Sequence, residues 1–448
     1  MKAYRAALLR FDAGAPPHQS AQYDADGLLV VGANSAGVRT VQAAGSWHAL
    51  KDQFPGVPVE HLPGRIIAPG FVDMHLHYPQ TDIIGSPAPG LLPWLENYTF
   101  PEENRFKAVE YSTKVAAYFI AELLRNGVTS ALAFATSHVE SVNALFEAAN
   151  AAGMRLTTGL CLMDRNAPQG LCNGTEQSLI DTEALIQKWH GQRRLGYAIT
   201  PRFAPSCSDA QLQGAGELAA QYADVWIQSH VAENQDEIAW ARRLFPKSRS
   251  YLSIYDDFGL MRKRAVYAHC IHFDNDDRAL MRSSGAVAAV CPTSNLFLGS
   301  GFFDFTGADR AGFSYGLASD VGGGTSFSPF HTMLAAYYVG RTCIDGEHGQ
   351  GDRPGVSLSP QELWWRYTAG AARAVGLEGV VGNLQPGHEA DFIVLNPTAT
   401  PLLARRTARA SSVDELLFAM IVLGDDRLVE RTTIAATDRI AAAGSLPL

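Results

Sequence analysis

Residues 66–77 read IIAPGFVDMHLH, an apolar, β-forming run that closes on His75 and His77. In a strand, residues i and i+2 point to the same side, so the two imidazoles share one face at the strand's C-terminal end. On its own the pair is either a ligand pair or chance. The rest of the chain supplies the context. Further strands are expected near 128–135, 155–163, 195–203, 224–231, 265–271, 286–291 and 314–319, with the first at 66–76. They are mostly continuous apolar runs, as parallel strands covered on both faces require. Amphipathic segments lie between most of them. The clearest runs from Asn104 to Asn126, with Phe106, Val109, Ala116, Phe119, Ile120, Leu123 and Leu124 in a helical stripe and Gly127 as its C-terminal stop. Eight strands alternating with helices predict a TIM-type (β/α)8 barrel. A doubly wound sheet is the rival, but no GxGxxG follows an early strand. Gly322–Gly324 comes late and precedes no lysine, so it is not a P-loop.

The two ends have a different texture. AYRAALLRF (3–11), GLLVVGA (27–33) and RTVQAAG (39–45) read as short strands separated by turn residues. ADFIVLN (390–396), LLFAMIVLG (416–424) and RLVERTTIAA (427–436) read alike, and ARRTARASS (404–412) reads as a loop. A small composite β-sandwich built from both termini is expected, with divisions at 1–65, 66–386 and 387–448. Composition is globular, with 47% apolar and 18% charged residues in 448. The net charge of −9 argues against a nucleic-acid partner, which needs a basic face. Six cysteines (Cys161, Cys172, Cys207, Cys270, Cys291 and Cys343) form no CxxC pair, so neither a disulfide framework nor a thiolate metal site is expected. Cys270 and Cys291 read as small buried apolar groups. No apolar run reaches the ~18 residues of a membrane span, and the N-terminal apolar stretch is too short for a signal peptide. A cytoplasmic location is the default expectation.

Other polar residues stand at the ends of later strands: His230 in VWIQSH, His269 in VYAHC and Asp320 in GLASD. Each singly could be a satisfied core group. Together with His75 and His77 they fall on strands one, five, six and eight, at the face where barrel enzymes keep their sites. Nitrogen and oxygen donors without thiolate suit catalytic zinc, and iron or manganese less specifically. Such an ion lowers the pKa of a bound water to about 7. Glu233, three residues past His230, either reaches substrate or simply favours the N-terminal turn of the next helix.

The motifs PGFVDMHLHYPQ, LLPWLENYTFPEE (91–103), TPRFAPSCS (200–208), QSHVAENQDEI (228–238), CPTSNLFLGSGFF (291–303) and ASDVGGGTSFS (318–328), with GNLQPGHEADFIVLN (382–396), resemble the amidohydrolase superfamily and, within it, the guanine deaminase family. The resemblance implies one Zn²⁺ per chain held by His75, His77, His230 and Asp320, with Glu233 as proton shuttle. It implies that His269 and Asp320 lie beside the attacking water and the substrate. Gln80 is implied to read the purine edge, and Arg202 and Phe203 to contact the guanine carbonyl and ring. A homodimer is also implied. Arg202 could otherwise be a surface ion pair and Phe203 plain core. Trp94, Tyr98 and Phe100 lie in the 80–103 connection, which is a lid, or else covers a dimer contact or caps the barrel. The expected activity is hydrolysis of guanine to xanthine and ammonia in purine catabolism. Alternatives are an amidohydrolase acting on a pterin, triazine or other purine, and a barrel serving only as a scaffold. The last predicts missing ligands, and here all are present.

Overall fold

A computed structural model describes residues 1–342 and 355–438. Cys343 and the last ten residues of the 387–448 segment lie outside the described residues. Two sheets organise the chain. The first contains β1 (Lys2–Phe11), β2 (Ala21–Ala33), β3 (Arg39–Ser46) and β4 (Val59–Pro69). The second follows with β5 (Phe71–His77), β6 (Val128–Phe134), β7 (Arg155–Thr158), β8 (Cys161–Leu162), β9 (Leu195–Pro201), β10 (Trp226–Val231), β11 (Ala265–His269), β12 (Val287–Val290) and β13 (Tyr315–Leu317). The chain then returns to the first sheet with β14 (Phe392–Leu395), β15 (Val429–Ile434) and β16 (Thr437–Asp438).

The second sheet is all parallel, in the order β5-β6-β7-β9-β10-β11-β12-β13, with β8 beside β9. Backbone bonds just past β13 close it into the expected (β/α)8 barrel. The Asp320 N–H donates to the His75 carbonyl at 2.9 Å, and the His77 N–H donates to the Val321 carbonyl at 2.6 Å. Every residue of β5, β6, β9 and β11 is buried, which is why these strands read as mostly apolar runs whose polar residues stand out. Helices such as Val109–Arg125 cover the outside, turning Phe119, Ile120 and Leu123 inward. Val109, expected in that stripe, is instead 60% exposed at the helix's first position. Gly127 follows at φ +80°, a conformation that costs any residue with a Cβ.

The terminal sheet runs β16-β15-β14-β4-β1-β2-β3, so strands from the two ends meet at β4 and β14. Four expectations are corrected here. Ile66–Pro69 is not the head of the first barrel strand: it pairs with β14 and β1, and the chain crosses to the barrel at Gly70. LLFAMIVLG is not a strand but lies in the helix Val413–Leu423, capped by Ser412, whose Oγ accepts the Glu415 N–H at 3.2 Å. Apolar on nearly every side, that segment carries no period to separate helix from strand. ARRTARASS begins inside a second helix, Pro401–Thr407, anchored by buried Leu403 and capped by Thr400. The 155–163 run is also divided, into β7 and β8.

Candidate active site

The site lies at the C-terminal ends of the barrel strands, where the parallel chain directions bring residues remote in sequence onto one rim. His75 and His77 project from the end of β5, His230 from β10 and His269 from β11, with Asp320 three residues past β13. His269 and Asp320 sit at φ +71° and +51°, as do Ala232 (+50°) and Cys270 (+53°) nearby. Left-handed backbone costs a non-glycine residue about 1–2 kcal/mol. Its concentration at the rim marks the places where the chain is bent to aim side chains inward. Beneath the rim, the buried Asp73 carboxylate ties β5 to the last strand, accepting from the Ser319 N–H at 3.1 Å and the Tyr367 hydroxyl at 2.8 Å. Burial pushes Asp73 up to about 6 despite these bonds.

The donor atoms of His75, His230, His269 and Asp320 all lie within 4.8 Å of one another. His77 joins them at the edge, its Nε2 3.1 Å from His230 Nε2 and 3.3 Å from Asp320 Oδ1. His75 Nε2 is 3.2 Å from the same Asp320 Oδ1, yet it has no hydrogen-bond partner among the described residues. A buried nitrogen and a buried carboxylate that approach without bonding are aimed at a common third point. That is the arrangement a cation requires, so the donor set fits a metal ion. The two Asp320 oxygens face differently: Oδ1 looks to His75 and His77, and Oδ2 lies 3.8 Å from His269 Nε2.

Protonation states agree with this. Burial holds the His75 ring below its ordinary value, His77 down to about 4 and His230 well below, so all three are neutral near pH 7, as ligands must be. Burial opposes the charge on Asp320, but the close approach of the His75 and His77 rings, at 3.2 and 3.3 Å, outweighs it and holds the carboxylate well below its usual range. His230 Nδ1 lies 2.5 Å from the Arg202 carbonyl oxygen, which fixes the hydrogen on Nδ1 and leaves Nε2 free to coordinate. His269 Nδ1 lies 2.8 Å from Asn295 Oδ1, which likewise orients that ring.

Glu233 sits beside these groups, buried, with Oε2 3.3 Å from His269 Nε2 and Oε1 accepting the Ser300 hydroxyl at 3.0 Å. Burial, reinforced by the Asp320 charge, raises it to about 8. The following helix, Gln235–Leu244, opens with a capping box in which the Glu237 carboxylate accepts from the backbone of Glu233 (3.2 Å) and Asn234 (3.3 Å). Both readings of Glu233 therefore meet in one residue. It precedes a helix N-terminus, and it faces the pocket.

The pocket beside these groups is also lined by Gln80, Arg202 and Phe203. Arg202 is not a surface ion pair. It is buried, and its Nη1 donates to the equally buried Glu103 at 2.6 Å. Trp94 from the 80–103 connection lines the pocket, and Phe100 lies under the Arg202 guanidinium at 5.5 Å. This connection is built of short helical turns, Tyr78–Ile83, Leu91–Trp94, Leu95–Thr99 and Phe100–Glu103. Gly323 lines the pocket too, and a Cβ on neighbouring Gly324 would overlap the Ser319 carbonyl oxygen, which explains the glycine run. Cys270 and Cys291 are buried, and burial pushes both thiols well above their ordinary value, so neither is a nucleophile. Sequence reasoning did not single out Glu103, Glu237, Asn295 or Asp73. Each lay within or beside a motif that was noticed, but its partner is remote in the chain or on the next turn of a helix.

Comparison with known proteins agrees with this geometry. The amidohydrolase family matches residues 66–435. The chain is 42% identical over 410 residues to the guanine deaminase of Escherichia coli (strain K12), covering 91% of this chain and 90% of that protein. The E. coli guanine deaminase structure superposes with a TM-score of 0.92 at 39% identity, covering 98% of this chain and 99% of that one. A C. acetobutylicum guanine deaminase with guanine bound in its active site superposes with a TM-score of 0.87 at 31% identity, covering 98% and 100%. The chain belongs to the amidohydrolase family and, within it, groups with the guanine deaminases.

Proposed function

We infer that this chain is a zinc-dependent guanine deaminase, hydrolysing guanine to xanthine and ammonia. The observation that carries the reading is the convergence in one pocket of four mutually close N/O donors, a protonated buried carboxylate and a buried arginine–glutamine pair. His75, His77, His230 and Asp320 would hold one Zn²⁺. Their neutral imidazoles and single carboxylate match a catalytic zinc site, and His269, though within the same cluster, is turned toward Glu233 and Asp320 Oδ2. The ion supplies a water of lowered pKa, close to 7.

The chain's own residues do the rest. Arg202 and Gln80 hold the carbonyl-bearing edge of the base, and Phe203 packs on the ring. Glu233 gives its proton to the ring nitrogen beside C2, making that carbon electrophilic. His269 Nε2 and the Asp320 carboxylate take the proton of the attacking water. That proton passes from His269 Nε2 to the Glu233 carboxylate, 3.3 Å away, and on to the exocyclic amine; as the C2–N bond breaks ammonia leaves, and the hydroxyl now on C2 becomes the carbonyl, its proton restoring Glu233. His230, Glu233, His269 and Asp320 thus all contact substrate or its attacking water. The divisions 1–65, 66–386 and 387–448, a homodimer, a cytoplasmic location and a place in purine catabolism belong to the same reading. The family resemblance supports the last three. The division of strands between the two sheets supports the first, with Ile66–Pro69 assigned to the terminal unit. Among the described residues no helix is long and apolar enough to cross a membrane.

A substrate panel on zinc-loaded protein tests this. Guanine should release ammonia, while adenine, cytosine, a pterin and an aminotriazine should not. Inert guanine beside a reactive pterin or triazine would overturn the assignment.

A further inference from the structure

We propose that Glu103 is a positioning residue that sets specificity for the substrate's carbonyl edge by bridging the two side chains that read it. Glu103 is fully buried, and both carboxylate oxygens are committed to the pocket. Oε1 accepts from Gln80 Nε2 at 3.1 Å, and Oε2 accepts from Arg202 Nη1 at 2.6 Å. Its neighbour Glu102 does the local structural work instead, pairing with Arg105 at 2.8 Å and accepting from Tyr111. Glu103 itself is joined to groups 23 residues earlier and 99 residues later in the chain, so its bonds serve the pocket rather than its own helical turn.

The bridge has two chemical consequences. An ionised carboxylate only accepts hydrogen bonds. It therefore obliges Gln80 to turn its nitrogen inward, while Gln80 Oε1 accepts the Gly322 N–H at 3.2 Å. The amide is locked from both ends and cannot flip. Glu103 also occupies one nitrogen of the Arg202 fork and neutralises its charge, and the Cys161 side chain takes a further hydrogen bond from the guanidinium, so the N–H groups left over suit a carbonyl oxygen of a neutral base rather than an anion. Glu103 touches neither the reacting carbon nor the metal ligands, so its effect is carried through Arg202 and Gln80.

This inference rests on the guanine reading above. The test compares guanine with 2-aminopurine, which keeps the amino group at C2 and lacks the carbonyl. In Glu103→Gln, the KM for guanine should rise about 10-fold or more, the cost of a misplaced charged hydrogen bond. The competitive Ki of 2-aminopurine should move less than ~3-fold, since it never uses that bond. Zinc content should be unchanged. Glu103→Asp keeps the charge but is one methylene too short to span both partners, so it should give an intermediate shift and serve where the glutamine variant folds poorly. In an Arg202→Ala background, Glu103→Gln should shift the guanine-to-2-aminopurine ratio by less than it does alone, the remainder being the share carried through Gln80. An unchanged ratio in the folded, zinc-loaded Glu103 variants would overturn the positioning role. Wild-type protein inert toward guanine would instead overturn the substrate reading.

Discussion

Replacing Glu233 by glutamine should abolish turnover and, in metal-free protein, stabilise the fold. The carboxyl is buried, receives the Ser300 hydroxyl at 3.0 Å and faces His269 Nε2 at 3.3 Å. Burial and then the Asp320 charge raise it from 4.5 to about 8, so at pH 7 it is about ten to one protonated. A proton held there is available to the substrate, and losing such an acid–base group costs about 10²–10⁴ in kcat. Glutamine keeps the shape and the acceptor for Ser300, so KM and zinc content should stay within a few-fold. The stability effect has the opposite sign. A carboxyl whose folded pKa lies above its unfolded one penalises folding as pH rises from 4.5 to about 8, and the penalty is constant beyond. At pH 7 that is about 3 kcal/mol, taking ~1.36 kcal/mol per unit. Urea unfolding of chelator-treated wild type and Glu233→Gln at pH 5 and 7 reads it: the variant's advantage should grow with pH. Turnover within a few-fold of wild type, or a variant less stable at pH 7, would refute the reasoning.

Asn295→Ala should leave zinc bound but lower kcat about 10–100-fold, because His269 loses the acceptor that orients its ring; steady-state kinetics with metal analysis decide it. Chelation should abolish guanine turnover and added Zn²⁺ restore it, and turnover persisting in verified metal-free protein would contradict the proposed centre. Away from the site, burial opposes the Glu389 charge but Arg194 and Arg155 together hold its carboxyl below the usual range. Its stabilisation is therefore full above pH ~4.5 and lost as pH falls through the lowered value, and Glu389→Gln should flatten that part of the urea-midpoint-versus-pH curve.

The barrel was legible because burial on both faces favours apolar residues: β5, β6 and β9 are mostly apolar, and so they announced themselves. The helix Val413–Leu423 was not legible, because nearly every side of it is apolar and its capping bond from Ser412 is a detail that three-dimensional packing selects. The crossing at Gly70 was hidden for a similar reason, since Ile66–Pro69 and Phe71–His77 are equally buried but in different sheets.

At the site, the residue types at the strand ends were readable one by one, because a histidine or aspartate closing an apolar strand is costly without a partner. Which of them share a centre, and which way each atom faces, was not. Asp320 meets His75 and His77 across the seam where the last strand returns to the first. Glu103 meets Arg202 across 99 residues. One-dimensional order carries the chemistry of each group but not the closure of the barrel. Closure sets these distances, and the distances turn separately costly buried groups into one compensated set.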